Sequence, residues 1–368
     1  MQRESGAWPQ RYRAPAWLPG GNLQTIWAAT LARRHAGEPP RWRRERWNTP
    51  DGDFVDVDHL VRQEPERGLE GSGGVPSTSA PPAAQHVVLF HGLEGSSASA
   101  YSLAFASVAR ARGWALSVPH FRGCSGELNL APRAYHSGDF EEVGWLLARL
   151  RALHGAPLLA AGVSLGGNAR LRWAAERGAS AAATARAVAA ICSPIDLAAA
   201  GAAIDRGFNR LVYARLFLSS MKPKALAKLA QHPGLFDAQR LAAARTLYEF
   251  DDVFTAPLHG FKGTRDYWSR ASALPHLGRL RIPALVLNAR NDPFVPHATL
   301  PAPGSPGPSG SNGLVTLWRP AHGGHVGFPQ GRFPARVTAM PEAVCDWLAT
   351  PQVTQVMQVR QATQATQV

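Results

Sequence analysis

Three residue types in a fixed chain order could do chemistry together. They are the serine of Gly162-Val163-Ser164-Leu165-Gly166, the aspartate of Asn291-Asp292-Pro293, and the histidine of Gly323-Gly324-His325-Val326-Gly327. A serine hydroxyl is a poor nucleophile until a histidine takes its proton, and that histidine needs a carboxylate to fix its tautomer and stabilise the imidazolium. The G-x-S-x-G spacing supplies the geometry. At a tight strand-to-helix turn the serine is forced into strained backbone angles, and small residues two before and two after it let strand and helix pass each other. The hydroxyl then stands above the sheet. The flanks agree, since Ala156-Pro-Leu-Leu-Ala-Ala-Gly162 reads as a short buried strand and Asn168-Ala-Arg-Leu-Arg-Trp-Ala-Ala-Glu176 as the helix that follows.

Other residues compete for these roles. Asp196 also follows a strand, in Ser193-Pro-Ile-Asp196, and Asp252 is a weaker candidate acid. Asp292 itself could simply cap the Asn-Asp-Pro turn. His322 lies three residues before His325, and the glycines around His325 favour the latter because a mobile loop tip lets the ring approach the serine. An oxyanion needs two backbone N–H donors, one after the nucleophile and one after an early strand. Here these are Leu165 and Leu93, the second in His91-Gly-Leu-Glu-Gly95. His91 is expected to shape that loop, Arg122 to brace its own loop in preference to holding an acidic substrate group, and Cys124 has no elbow to make it a nucleophile.

The elements that must position these groups are legible as an alternation. The strand His86-Val-Val-Leu-Phe90, a helix over 100–112, the strand Ala115-Leu-Ser-Val-Pro119, a helix over 139–154 and the elbow strand succeed one another, with glycine-rich turns after the strands. That pattern predicts a mostly parallel, doubly wound α/β sheet. A hairpin precedes it, turning at Thr49-Pro-Asp-Gly-Asp53 before the alternating Val55-Asp-Val-Asp58. After the strand Ala187-Val-Ala-Ala-Ile-Cys192 and its end in Ser193-Pro-Ile-Asp196, about 75 residues of helical character run to about Ser272 before the strand Ile282-Pro-Ala-Leu-Val-Leu-Asn288, where a crossover ordinarily needs a dozen or more. The expected organisation is an N-terminal arm (1–40), an α/β core (41–195 and 276–350), a helical lid insertion (196–275) and a disordered tail (351–368). Residues 64–84 and 301–313 are expected to be exposed variable loops.

Composition bounds the partners. With 39 Lys and Arg against 26 Asp and Glu the formal charge is +13, but the arginines are scattered. The one cluster, Arg41-Trp-Arg-Arg-Glu-Arg-Trp47, is too short for a groove that tracks a nucleic-acid backbone, so no nucleic-acid partner is expected. No apolar run reaches about 20 residues and the N-terminus lacks a signal-peptide core. A cytoplasmic protein with at most peripheral membrane contact is expected. Cys124, Cys192 and Cys345 are widely spaced, which argues against disulfides and a zinc site. Without clustered metal ligands or a phosphate-binding glycine loop, no metal or cofactor is implied.

Several segments jointly resemble the bacterial YheT-like branch of the α/β-hydrolases, related to eukaryotic abhydrolase-domain esterases and lipases. They are Gly21-Asn-Leu-Gln-Thr-Ile26, His91-Gly-Leu-Glu-Gly-Ser96, Phe121-Arg-Gly-Cys-Ser-Gly-Glu127, Gly162-Val-Ser-Leu-Gly-Gly-Asn168, Thr255-Ala-Pro-Leu-His-Gly-Phe261, Asp266-Tyr-Trp268, Asn291-Asp-Pro-Phe294 and His322-Gly-Gly-His-Val-Gly-Phe328. The resemblance implies an α/β-hydrolase fold and carboxylic-ester hydrolysis, with Ser164, Asp292 and His325 as the triad. The expected substrates are short- to medium-chain acyl esters, with acylglycerols among the candidates. The departures from it are the two variable loops and the Gln-rich tail. The competing reading is a catalytically silent scaffold of the same fold that binds a small molecule or a lipid surface.

Overall fold

A computed structural model describes residues 8–61, 85–301 and 313–350. The expected loop at 64–84, most of the one at 301–313 and the expected disordered tail lie outside the described residues. Eight strands form one sheet in the order β1-β2-β4-β3-β5-β6-β7-β8. They are β1 (Trp42–Asn48), β2 (Phe54–Leu60), β3 (His86–Phe90), β4 (Ala115–Pro119), β5 (Leu158–Val163), β6 (Ala185–Ile191), β7 (Ala284–Leu287) and β8 (Val315–Trp318). From β4 to β8 every pairing is parallel, while β2 joins both β1 and β4 antiparallel.

The central strands are continuous apolar runs because helices cover both faces of the sheet. Alternation decides which side chain meets which helix. Val88, Phe90, Leu158 and Ala160 point to the face covered by α3 (Phe140–His154) and α4 (Leu165–Arg177), where Leu146, Leu150 and Trp173 pack on them. Val87, Leu89, Leu159 and Ala161 meet the opposite layer, α2 (Ala100–Ala111) and α8 (Ala339–Ala349), through Phe105, Val344 and Leu348. Local signals end these helices as expected: the Asp139 side chain accepts from Glu142 N at the start of α3, and Gly155 closes it in the left-handed conformation.

In the hairpin, register explains the basic cluster. Arg44 lies opposite Asp58 and Arg46 opposite Asp56, and each guanidinium grips its partner with two hydrogen bonds of 2.7–2.9 Å. The run is thus neutralised across the strands, while Trp47 is buried against Trp145.

Between β6 and β7 the chain is helical. Helix α5 (Leu197–Ile204) is followed by Gly207–Asn209 and a π-helical turn, Arg210–Ala214, that run directly into α6 (Arg215–Gln231); α7 (Thr264–Ala271) comes last of the longer pieces. Leu218, Leu241, Phe250 and Phe254 give this segment a small apolar core of its own. Pairing also sets the functional edge: Phe90 aligns with Gly162, Val163 with Ile191, Ile191 with Leu287 and Leu287 with Trp318. The segments starting at His91, Ser164, Cys192, Asn288 and Arg319 therefore leave the sheet along one line, the carboxyl edge where α/β sheets carry their sites.

Arg122 is a brace. Its side chain is 3% exposed and bonds Glu142 at 2.6 Å and Asp53 and Asp51 at 2.9 Å, tying the loop after β4 to the hairpin turn and α3. Replacing it with methionine strands buried carboxylates, a change that costs on the order of 3–5 kcal/mol. Urea unfolding of Arg122→Met should show a loss of about 3 kcal/mol or more; a loss under about 1 kcal/mol contradicts a buried, charged network.

Candidate active site

Ser164 sits at φ 49°, ψ −121°, directly between the end of β5 and the start of α4. Non-glycine residues held in sparsely populated backbone regions carry strain of about 1–3 kcal/mol. The strain persists because the surrounding backbone leaves no alternative. A Cβ on Gly162 would lie 2.6 Å from Gly166 O, and one on Gly166 would lie 2.4 Å from His91 O. A third glycine that the motif does not demand, Gly167, faces the Ser193 hydroxyl at a distance that excludes any side chain. Ser164 N donates to Ile191 O at 2.8 Å, which pins the turn to β6.

Asp292 and His325 meet. The imidazole Nδ1 lies 3.1 and 3.0 Å from the two Asp292 oxygens, with the carboxylate side chain fully buried and the ring 10% exposed. Nδ1 therefore carries the proton and donates to the carboxylate, leaving Nε2 as the basic nitrogen. Asp292 also accepts from Phe294 N at 2.8 Å and Val295 N at 3.2 Å, so it caps its turn and holds the histidine at once. Phe294 packs on the imidazole with ring centres 4.3 Å apart. No hydrogen bond joins the Ser164 hydroxyl to His325 among the described residues.

The competing acids are occupied elsewhere, and the competing histidine lies at the surface. Asp196 caps α5 by accepting from Ala199 N, Asp252 accepts from Thr264 N and pairs with Arg240, and His322 is exposed. Buried His91 accepts from Phe121 N at Nε2 and faces Gly92 O with Nδ1, which assigns its proton to Nδ1. Burial pushes its imidazole down to about 3 and keeps it neutral, so it shapes the loop without a free basic nitrogen.

Cys192 escaped the sequence reading. It follows β6 with φ 49°, and its sulfur, an Asp292 oxygen and a His325 nitrogen lie within 4.8 Å of one another. Such a trio is close enough to hold a metal ion. Burial and the neighbouring carboxylate, however, hold the thiol well above its ordinary value, and the protonated thiol is a poor ligand. Val326 N donates to its sulfur at 3.2 Å, so Cys192 ties the histidine loop to β6.

The N-terminal segment contributes the other support that sequence reasoning missed. Helix α1 (Gly21–Thr30) buries Gln24 and Thr25 against the acid and histidine loops. Gln24 Oε1 accepts from Gly323 N at 2.8 Å and Asn291 Nδ2 at 3.0 Å, and Thr25 Oγ1 accepts from His325 N at 2.8 Å. Gly21 makes this approach possible, since a Cβ there would lie 1.9 Å from Asn291 O. The Gly21-to-Ile26 segment noted in the sequence is the only signal that pointed here.

A cavity of about 150 Å³ opens over Ser164, Leu165 and Leu93. Leu197, Ile204, Phe217, Phe250, Phe254 and Phe294 make most of it apolar, the first five from the segment between β6 and β7. In the loop after β3, Gly92 N donates to Tyr101 Oη, Glu94 N to Tyr135 Oη and Gly95 N to Gly92 O. The Leu93 N–H has no acceptor among the described residues. Leu165 opens α4, where the first N–H groups of a helix have no partner within it.

This fold and site define a class, and a family model for the alpha/beta hydrolase fold matches residues 85–331. A protein of Escherichia coli (strain K12) named "Putative esterase YheT" is 37% identical over 335 residues, 89% of this chain and 90% of that protein. The chain belongs to the α/β-hydrolase family, in the branch of that relative. Mouse "Phospholipase ABHD3" is 29% identical over 82% of this chain and 70% of its own length, and human "Monoacylglycerol lipase ABHD2" 26% identical over 71% and 66%. Among solved structures, the acylaminoacyl peptidase of Pyrococcus horikoshii overlays with a TM-score of 0.50 at 11% identity, covering 86% of this chain and 42% of that one, a likeness of fold alone.

Gln24→Leu removes the acceptor shared by Gly323 and Asn291. Stranding buried donors costs about 1–3 kcal/mol. The variant should stay folded by circular dichroism yet lose roughly tenfold or more in ester turnover, because a misplacement of about 1 Å in a reacting group can cost about a hundredfold. Wild-type turnover in a folded Gln24→Leu protein contradicts the clamp.

Proposed function

We propose that this chain works by acyl transfer through Ser164. It is a carboxylic-ester hydrolase in which the Ser164 hydroxyl attacks the ester carbonyl while His325 Nε2 takes its proton, and Asp292 orients the ring and stabilises the imidazolium. The N–H groups of Leu93 and Leu165 receive the oxyanion. The imidazolium then protonates the departing alcohol, and a water activated by the same histidine releases the acid from the acyl-enzyme. The observation that carries this reading is the Asp292–His325 bond, set on the same sheet edge as the strained serine. In resting sites the serine–imidazole contact is often long and tightens with substrate.

The apolar cavity suits the acyl chain of a short- to medium-chain ester, with the helices between β6 and β7 as its lid. Similarity to proteins named phospholipase and monoacylglycerol lipase makes glycerolipid esters a natural substrate class. No helix among the described residues is long and apolar enough to cross a membrane; the contact proposed with a lipid surface is peripheral.

Ser164→Ala should abolish hydrolysis of p-nitrophenyl esters, by about 10³-fold or more, while the fold persists. Across acetate to laurate, kcat/KM should peak at short to medium chains. Unchanged turnover in Ser164→Ala contradicts the mechanism, and a rate that keeps rising to laurate contradicts the chain-length assignment.

A further inference from the structure

The loop that carries the Leu93 N–H is gripped by the helix that lies over it. Glu94, at φ 56°, turns its carboxylate upward, where Oε2 accepts from Lys224 Nζ of α6 at 2.8 Å and Oε1 from Tyr135 Oη at 2.9 Å. Tyr135 is itself fixed, stacked on Phe121 with ring centres 5.3 Å apart. One turn further along α6, the buried Lys228 ammonium donates to the carbonyls of Asn129 and Ala131 in the loop after β4. The Leu93 side chain packs with both the sheet core and the apolar core of the overlying helices. Helix α6 thus grips the loop at Glu94, contributes Leu218 and Ala225 to the apolar core on which Leu93 packs, and also lines the cavity with Phe217 and Met221.

The charge arrangement makes Lys224 more than a tether. Glu94 places a carboxylate one residue from an N–H assigned to a developing oxyanion. A like charge at that range opposes the transition state, and an ammonium on the carboxylate offsets it. We propose that Lys224 is a positioning residue for the hydrolysis: by holding and neutralising Glu94 it keeps the Leu93 N–H set for the oxyanion, so that the donor is competent only while α6 is seated. This rests on the ester-hydrolase reading above.

The test is steady-state hydrolysis of p-nitrophenyl acetate, a substrate too short to depend on the acyl end of the cavity. Lys224→Met should lower kcat by about tenfold or more with KM within about threefold, a loss confined to the transition state. Lys224→Arg should return kcat to within about threefold of wild type, since it restores the charge. Removing the offending carboxylate as well, in Glu94→Gln/Lys224→Met, should recover at least half of the logarithmic loss, which a purely packing role for Lys224 would not produce. Lys222→Met, two residues earlier and bonded within the helical segment at Ala242 O, serves as the control and should stay within about twofold. A kcat for Lys224→Met within about twofold of wild type overturns the proposal, as does a double variant no faster than Lys224→Met. If wild type itself shows no turnover that depends on Ser164, the ester-hydrolase reading fails instead.

Discussion

Close backbone approach at the end of β5 is the constraint on which the site depends. Gly162 and Gly166 pass within a distance that admits no Cβ, and Ser164 is held between them in a conformation that L residues avoid. Nothing in the serine itself favours those angles. They are imposed by the pairing of β5 with β3 and β6 and by α4 packing on the same face. The strain, of the order of 1–3 kcal/mol, is stored where it fixes the hydroxyl at the mouth of the cavity and frees the Leu165 N–H beside it.

The residues proposed to activate that serine are held by polar contacts reaching across the whole chain. Asp292 is set by its own turn, and His325 is set by Asp292, by Thr25 and, through Val326, by Cys192. The loop after β3 is likewise fixed by Tyr101, Tyr135 and Lys224. Each contact satisfies a backbone or buried group that would otherwise be costly to leave unpaired, so stability and geometry have the same origin here. The excess of positive charge plays little part in this arrangement, because the densest basic stretch is neutralised by Asp56 and Asp58 across the hairpin.

The parts of this picture legible in the sequence are those governed by local pattern. Buried apolar runs of strand length, punctuated by glycine-rich turns, announced the parallel sheet, and 75 residues without a strand signal announced the helices above it. G-x-S-x-G marked Ser164 because its geometry lies within five residues. Asp292 and His325 were harder. Asp196 also follows a strand, and only the fold shows it spent on capping α5 while Asp292 faces the imidazole. The bonds of Gln24 and Thr25 to the histidine loop span about 300 residues, and no periodicity records such a contact. The spacing of Cys192 speaks only against a disulfide or a zinc site, and its place beside Asp292 follows from the pairing of β6 with β7. The role of Lys224 depends on where α6 lies over the sheet, which side-chain packing sets and propensity does not.

The most direct measurement is covalent labelling of the folded protein with a fluorophosphonate, located by peptide mass spectrometry. A single phosphonylated peptide with the label on Ser164 is expected, formed rapidly in wild type and slowed strongly by His325→Ala. Folded protein that takes no label, or takes it on another residue, contradicts an activated serine at this turn and leaves the α/β-hydrolase fold as a silent scaffold.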